Sequence, residues 1–103
     1  MMTNEEIAAS IGTPALLEQA AEEAAEFAQA CLKLARKIRG ENPTPAALYD
    51  LNLQMHEEAA DVITCINVMR EADVLDQRAV DRIAKEKLER WRARVEVAEG
   101  GKR

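Results

Sequence analysis

The apolar residues of this chain recur at intervals of three and four positions, which is the spacing of an amphipathic α-helix. They outline a short helix at about residues 4–11 and a first long helix at about residues 14–39. A second long helix begins between residues 45 and 51 and ends near residue 72, and a third covers about residues 77–97. Thr13, followed by Pro14, and Asp76 are predicted to cap the first and third long helices, and Gly40 is predicted to end the first. Alanine, leucine, glutamate, lysine and arginine dominate the composition, which also favours helix.

The connections between the long helices are short, which favours antiparallel packing of neighbours. We therefore predict an all-α fold, an antiparallel helical bundle of three long helices plus the short N-terminal helix. One loop, residues 41–45, separates the first two long helices and carries two of the three prolines. A chain of 103 residues is one domain, residues 1–103 with a core over about 14–97. Because such long helices leave apolar faces uncovered, we expect a homodimer or homotetramer to complete the bundle.

Acidic residues interrupt two of the apolar helix faces. We call a seam the set of positions spaced alternately by four and three residues along a helix. The seam of the first long helix consists of Leu16, Ala20, Glu23, Phe27, Ala30 and Leu34. The seam of the second consists of Leu51, Met55, Glu58, Val62, Cys65 and Met69. Glu26 and Asp61 follow the two seam glutamates at i+3, so each stacks about one turn further along the same side.

A carboxylate on a core-facing position is costly unless it is protonated, paired with a basic group or bound to a cation. Four carboxylates facing one another between the helices would form an oxygen-only ligand set: Glu23, Glu26, Glu58 and Asp61. Such a set suits Mg²⁺, with Mn²⁺ as the alternative, better than zinc. Glu22 and Glu57 precede the seam glutamates and are predicted to face solvent or to support the ligands from behind.

The third long helix carries basic residues at the equivalent positions. Its seam consists of Val80, Ala84, Lys87, Trp91, Arg94 and Ala98. Two interpretations of Lys87 and Arg94 are open: they extend from the core edge and pair with the glutamates, or they contact substrate phosphates. Trp91 is predicted to anchor the core rather than to stack on a base.

The remaining residues that could bind metal or take part in catalysis have simpler interpretations. His56 lies off the seam and is predicted to be a surface residue, with a metal or substrate contact as the alternative. Cys31 and Cys65 have no Cys or His partner at zinc spacing and are predicted to be reduced and buried in their helices. No nucleophile, base and acid stand in a pattern that indicates a triad.

Charge and hydropathy exclude several classes of function. The net charge of −5 is opposite to what a nucleic-acid-binding surface requires. No apolar run is long enough to span a membrane, and the acidic N-terminus leads into no signal core. We therefore expect a cytoplasmic protein without nucleic-acid or membrane partners. An acidic chain can still bind a phosphate substrate if metal ions lie between the two.

The two acidic motifs resemble a known family. Glu23-x-x-Glu26, followed by Glu58-x-x-Asp61, is similar to the signature of the MazG-like nucleotide pyrophosphohydrolases of the all-α NTP pyrophosphatase superfamily. The resemblance covers roughly residues 14–95 and includes the strings around both motifs, the loop that begins at Gly40 and the ending Lys87-Leu88-Glu89-Arg90-Trp91. Family members often have an asparagine-containing basic motif on the last helix, which this chain lacks. The related phosphoribosyl-ATP pyrophosphatases follow the second motif with Tyr-His, which is absent after Asp61.

The resemblance implies an enzyme that cleaves the α–β phosphoanhydride of a nucleoside triphosphate and releases a monophosphate and pyrophosphate. It implies Mg²⁺ held by Glu23, Glu26, Glu58 and Asp61. Contacts from Lys87 and Arg94 to the substrate phosphates are expected from their seam positions, not from the resemblance. The alternative is a non-catalytic helical oligomerisation or partner-binding module with interhelical salt bridges. A third possibility is a regulator that binds metal and nucleotide without hydrolysis.

Overall fold

The computed structural model describes residues 1–41 and 45–101. Over these residues it contains four α-helices: α1 (Asn4–Ile11), α2 (Thr13–Arg39), α3 (Leu48–Glu71) and α4 (Gln77–Gly100). The predicted all-α fold, with one short and three long helices, is thereby confirmed. Of the predicted loop at 41–45, residues 42–44 lie outside the described residues. Within the described ranges, no helix combines the length and the hydropathy that a membrane crossing requires.

Local signals explain most of the helix ends. The side chain of Asp76 accepts a hydrogen bond from the backbone N–H of Ala79 at 3.1 Å, so its predicted role as the cap of α4 is confirmed. Gly40 ends α2 in the left-handed conformation (φ 76°), as predicted. The predicted cap at Thr13 is wrong, because Thr13 is already helical and Gly12 stands at the cap position with φ 87°. Glycine adopts that φ without steric cost, which lets α2 begin directly after α1.

A buried apolar cluster lies where α1 and the beginning of α2 meet the end of α3. Its buried members are Ala8, Leu16, Val68 and Met69. The turn between α3 and α4 closes the cluster with Val74 and Leu75, and Asp73 adopts a positive φ of 59° within that turn. The first residue of α1 adds a polar link here, because Asn4 donates a hydrogen bond to the Glu71 carboxylate.

α2 and α3 pack against each other along their length and form the main body of the chain. Leu16, near the beginning of α2, contacts the cluster at the end of α3, so the two helices run in opposite directions. Ala30 and Leu51 are buried further along this helical hairpin. All positions of both predicted seams are buried or half-buried, including Glu23 and Glu58. The hairpin therefore has apolar contacts on both sides of the two acidic motifs.

α4 departs from the predicted arrangement. Arg70 at the end of α3 and Asp81 in α4 form an ion pair at 3.4 Å, and Ala79 and Val80 are half-buried. From Asp81 to Gly100 every residue of α4 is exposed. Among the described residues the third long helix therefore does not pack into a bundle, because beyond its first turn every residue is exposed and Asp81 makes only the ion pair with Arg70.

Candidate carboxylate site

The two acidic motifs meet midway along the α2–α3 hairpin. One carboxylate oxygen from each of Glu23, Glu26 and Glu58 lies within 4.8 Å of the others. Glu23 and Glu58 are half-buried, whereas Glu26 is exposed. The antiparallel course of α2 and α3 produces this arrangement, because it places the middle of one helix beside the middle of the other. The structure thus brings together three of the four predicted metal ligands.

The fourth predicted ligand, Asp61, is exposed and lies beside Glu23. It is not part of the group of three, but its carboxylate acts on Glu23 through its negative charge and through a hydrogen-bonding contact. Both predicted ligands of α2 therefore have a carboxylate neighbour on α3: Glu26 is adjacent to Glu58, and Glu23 is adjacent to Asp61.

The surroundings of the site disfavour the ionised form of its two half-buried carboxyl groups. Desolvation raises the pKa of Glu23 above its ordinary value, and the charges of Asp61 and Glu26 raise it further. Desolvation also raises the pKa of Glu58, followed by the hydrogen-bonding contact with Glu26 and its charge. Both carboxyl groups therefore hold a proton more readily than a free glutamate does.

Two oxygens of the site lack donors. Oε2 of Glu23 and Oε2 of Glu58 are buried, and no hydrogen-bond donor reaches either of them among the described residues. Buried polar atoms in native proteins are normally satisfied, so unpaired ones indicate a missing partner. In the described part of the chain neither Lys87 nor Arg94 forms an ion pair with these carboxylates. The missing partner of the two oxygens would therefore be a proton or a cation.

Sequence reasoning overlooked two residues of the site. Gln19 donates a hydrogen bond from Nε2 to Oε1 of Glu23 at 2.8 Å, which fixes one oxygen of that carboxylate. Its signal in the sequence was the i, i+4 spacing to Glu23, which places the two residues on one side of α2. The Cys65 thiol is near the site as well, and its pKa is raised by burial and by the charges of Glu23 and Asp61. The thiol therefore stays protonated at neutral pH, a state in which it is a poor metal ligand.

The other predicted residues lie away from this cluster. Lys87 and Arg94 are exposed on α4, so the expectation that they stand at the edge of a core is wrong for the single chain. Trp91 is 61% exposed, so its predicted role as a core anchor is wrong as well. The helical period places these residues on one face of α4, and no helix among the described residues covers that face.

The predictions for the remaining residues agree better with the structure. His56 is exposed, as predicted, and its Nδ1 donates to the backbone oxygen of Asn52 at 2.8 Å. Cys31 and Cys65 are free thiols, as predicted, although they are half-buried rather than buried.

The raised pKa values predict how metal-free stability depends on pH. A carboxyl group with a higher pKa in the folded chain than in the unfolded chain stabilises the fold at low pH, and this contribution is lost as pH rises through the folded pKa. We therefore expect the variant Glu23→Gln/Glu58→Gln to be more stable than the wild type at neutral pH. The advantage should shrink as pH falls toward the ordinary glutamate value of 4.5.

The measurement is thermal unfolding of both proteins in a chelator across this pH range. The variant Glu22→Gln/Glu57→Gln removes the same number of charges from exposed neighbouring positions and serves as the control. A stability difference between wild type and Glu23→Gln/Glu58→Gln that does not change with pH would contradict the assigned cause.

Comparison with known proteins adds nothing to this geometry. No protein-family model matches the chain, and searches of curated proteins and of solved structures found no match. The functional interpretation therefore rests on the carboxylate site and on the resemblance of its two motifs.

Proposed function

We propose that this protein is a Mg²⁺-dependent nucleoside triphosphate pyrophosphohydrolase. The reaction is (d)NTP plus water to (d)NMP plus pyrophosphate, with cleavage of the α–β phosphoanhydride bond. The observation that carries the proposal is the cluster of Glu23, Glu26 and Glu58, whose oxygens lie within 4.8 Å of one another. Mn²⁺ is the alternative ion, and we expect the active form to be a homodimer or homotetramer in the cytoplasm.

The donor set fits a hard cation. All the groups that converge are carboxylates, and magnesium prefers oxygen ligands. The two donor-free oxygens, on Glu23 and Glu58, are those that a cation would satisfy without protonation. In this proposal Glu23, Glu26 and Glu58 hold the ion and Asp61 completes the set from its position beside Glu23.

The bound ion would neutralise phosphate charge and lower the pKa of a coordinated water. The residues of this chain position the ligands and contact the substrate. Gln19 holds one oxygen of Glu23 in place, so the other oxygen keeps a fixed direction. The exposed carboxylate of Asp61 is on the solvent side of the site, where a substrate phosphate and the attacking water would enter. Lys87 and Arg94 remain the proposed contacts to the substrate phosphates.

The non-catalytic alternative loses part of its basis within one chain. It requires salt bridges from Lys87 and Arg94 to the seam glutamates, and the described residues contain none. Without such partners, four clustered carboxylates only destabilise a helical module. A bound cation would offset this repulsion, which supports the enzyme over the purely structural module.

An assay of products tests the proposal. The purified protein is incubated with Mg²⁺ and a panel of standard and modified (d)NTPs, and monophosphate and pyrophosphate are quantified together. We expect equal amounts of both products from at least one substrate and none in the presence of a chelator. Release of inorganic phosphate together with a nucleoside diphosphate would contradict the assigned bond. Binding of Mg²⁺ and nucleotide without products would favour the regulator, and turnover no higher than that of Glu58→Gln would exclude the enzyme.

A further inference from the structure

The two oxygens of the Glu23 carboxylate have different surroundings. Oε1 accepts a hydrogen bond from Nε2 of Gln19 at 2.8 Å. Oε2 is buried and has no hydrogen-bond donor among the described residues. An amide nitrogen donates and does not accept, so it is the group of Gln19 that faces Glu23 whenever the carboxylate is ionised. The amide therefore distinguishes the two oxygens, and Oε2 is the one without a partner.

The geometry of α2 maintains this contact. Gln19 and Glu23 are four residues apart, so one turn of the helix stacks the amide beside the carboxylate. Both residues lie in the interior of α2, well away from its ends at Thr13 and Arg39. A hydrogen bond to an ionised carboxylate is stronger than one between neutral groups. One oxygen of Glu23 is therefore held before any cation binds.

The second acidic motif has the same glutamine without the same contact. Gln54 precedes Glu58 by four residues on α3, as Gln19 precedes Glu23 on α2. The polar neighbours of Glu58 are other carboxylates, and Gln54 is not among them in the described part of the chain. The structure thus restrains one of the two seam glutamates and not the other.

The number of oxygens that a carboxylate offers affects which cation it favours. Mg²⁺ requires near-ideal octahedral geometry at about 2.0–2.1 Å and retains several of its waters. Ca²⁺ takes about six to eight oxygens at longer distances and often binds both oxygens of one carboxylate. A carboxylate with one oxygen already engaged offers only the other. This restraint suits Mg²⁺ and deprives Ca²⁺ of a ligand.

We propose that Gln19 is a specificity-determining residue of the carboxylate site, which restricts Glu23 to one oxygen and thereby favours Mg²⁺ over Ca²⁺. Gln19 acts through Glu23 and does not touch the ion, so it is a positioning residue. The inference rests on the proposed function only for the presence of a divalent cation at the cluster. Glu58 lacks an equivalent restraint and remains able to offer both of its oxygens.

The test measures the binding of Mg²⁺ alone and of Ca²⁺ alone to the whole chain by titration calorimetry, without nucleotide. Gln19→Met retains the length of the side chain and removes the donor at an exposed position of α2. We expect this variant to bind Mg²⁺ about 10-fold more weakly, the lower end of the range for residues that orient a metal ligand. Ca²⁺ should lose less, so the ratio of the two dissociation constants should move toward Ca²⁺ by at least about threefold.

Gln54→Met is the matched control. It makes the same change at the exposed position four residues before the other seam glutamate, where the hydrogen bond is absent. Both dissociation constants should stay within about twofold of the wild type, as is usual for a surface substitution. The ratio is the decisive quantity, because a purely structural role of Gln19 would weaken both ions equally. Circular dichroism verifies that both variants retain their helices.

Three outcomes would overturn the inference. A ratio that is unchanged in Gln19→Met, or changed equally in Gln54→Met, shows that the hydrogen bond does not select the ion. Absence of Mg²⁺ binding to the wild type without nucleotide also contradicts it. The product assay decides the proposed function separately: Mg²⁺ binding with the expected ratio but without pyrophosphate release supports the role of Gln19 and excludes the enzyme.

Discussion

Glu58→Gln is expected to lower metal-dependent release of pyrophosphate by at least about 100-fold while leaving the helical fold in place. Replacing residues that only support metal ligands already costs 10–100-fold, and Glu58 is proposed as a ligand itself. Glutamine retains the size of the side chain but removes the charge that holds the cation. It also removes a charge that the raised pKa of Glu58 shows to be unfavourable in the metal-free chain.

The neighbouring Glu57→Gln is the matched control. It removes the same charge from an exposed position about 100° further round α3, so turnover should change by less than about threefold. Thermal unfolding with increasing Mg²⁺ provides a second measurement that does not require substrate. The wild type and Glu57→Gln should be stabilised by the ion, whereas Glu58→Gln should respond much less. Equal loss of activity in both variants would show that net charge, rather than a ligand position, is responsible.

Leu16→Ala is expected to destabilise the chain by about 3 kcal/mol, a typical cost for removing a buried leucine side chain. Leu16 is only 3% exposed and belongs to the cluster that joins the ends of α1, α2 and α3. This cluster is small, so little apolar contact remains to compensate for the cavity. For a domain of about 100 residues the expected decrease in Tm is about 12–24 °C.

Leu32→Ala makes the same chemical change on α2 at a position that is 60% exposed. Its cost should stay below about 1 kcal/mol, because most of the side chain already contacts water. Both variants are measured by thermal unfolding at one fixed protein concentration, since association contributes to apparent stability. Similar losses at the two positions would show that the cluster around Leu16 is not the main core of the chain.

The periodicity of α2 and α3 was sufficient to predict which residues face the interior of the hairpin. Glu23 and Glu58 are half-buried among apolar neighbours, as their positions on the two seams predicted. This inference is reliable because the turn of an α-helix fixes which side chains share a face. The same reasoning predicted the cap at Asp76, which depends only on local backbone geometry.

Cross-helix pairing required the tertiary structure. The i+3 spacing places Glu26 beside Glu23 and Asp61 beside Glu58 on their own helices. Only the packing of α2 against α3 brings Glu26 to Glu58 and Asp61 to Glu23. Likewise, the hydrogen bond from Gln19 to Glu23 depends on side-chain directions that the spacing alone leaves open.

The sequence by itself determined the helices, the seams of α2 and α3 and the two acidic motifs, because all of these follow from the helical period and from local capping. The tertiary structure decided the position of α4. The period marks Lys87, Trp91 and Arg94 as members of one face, but it contains no information about which helix covers that face. Among the residues that the structure describes none does, since α4 is exposed from Asp81 onward.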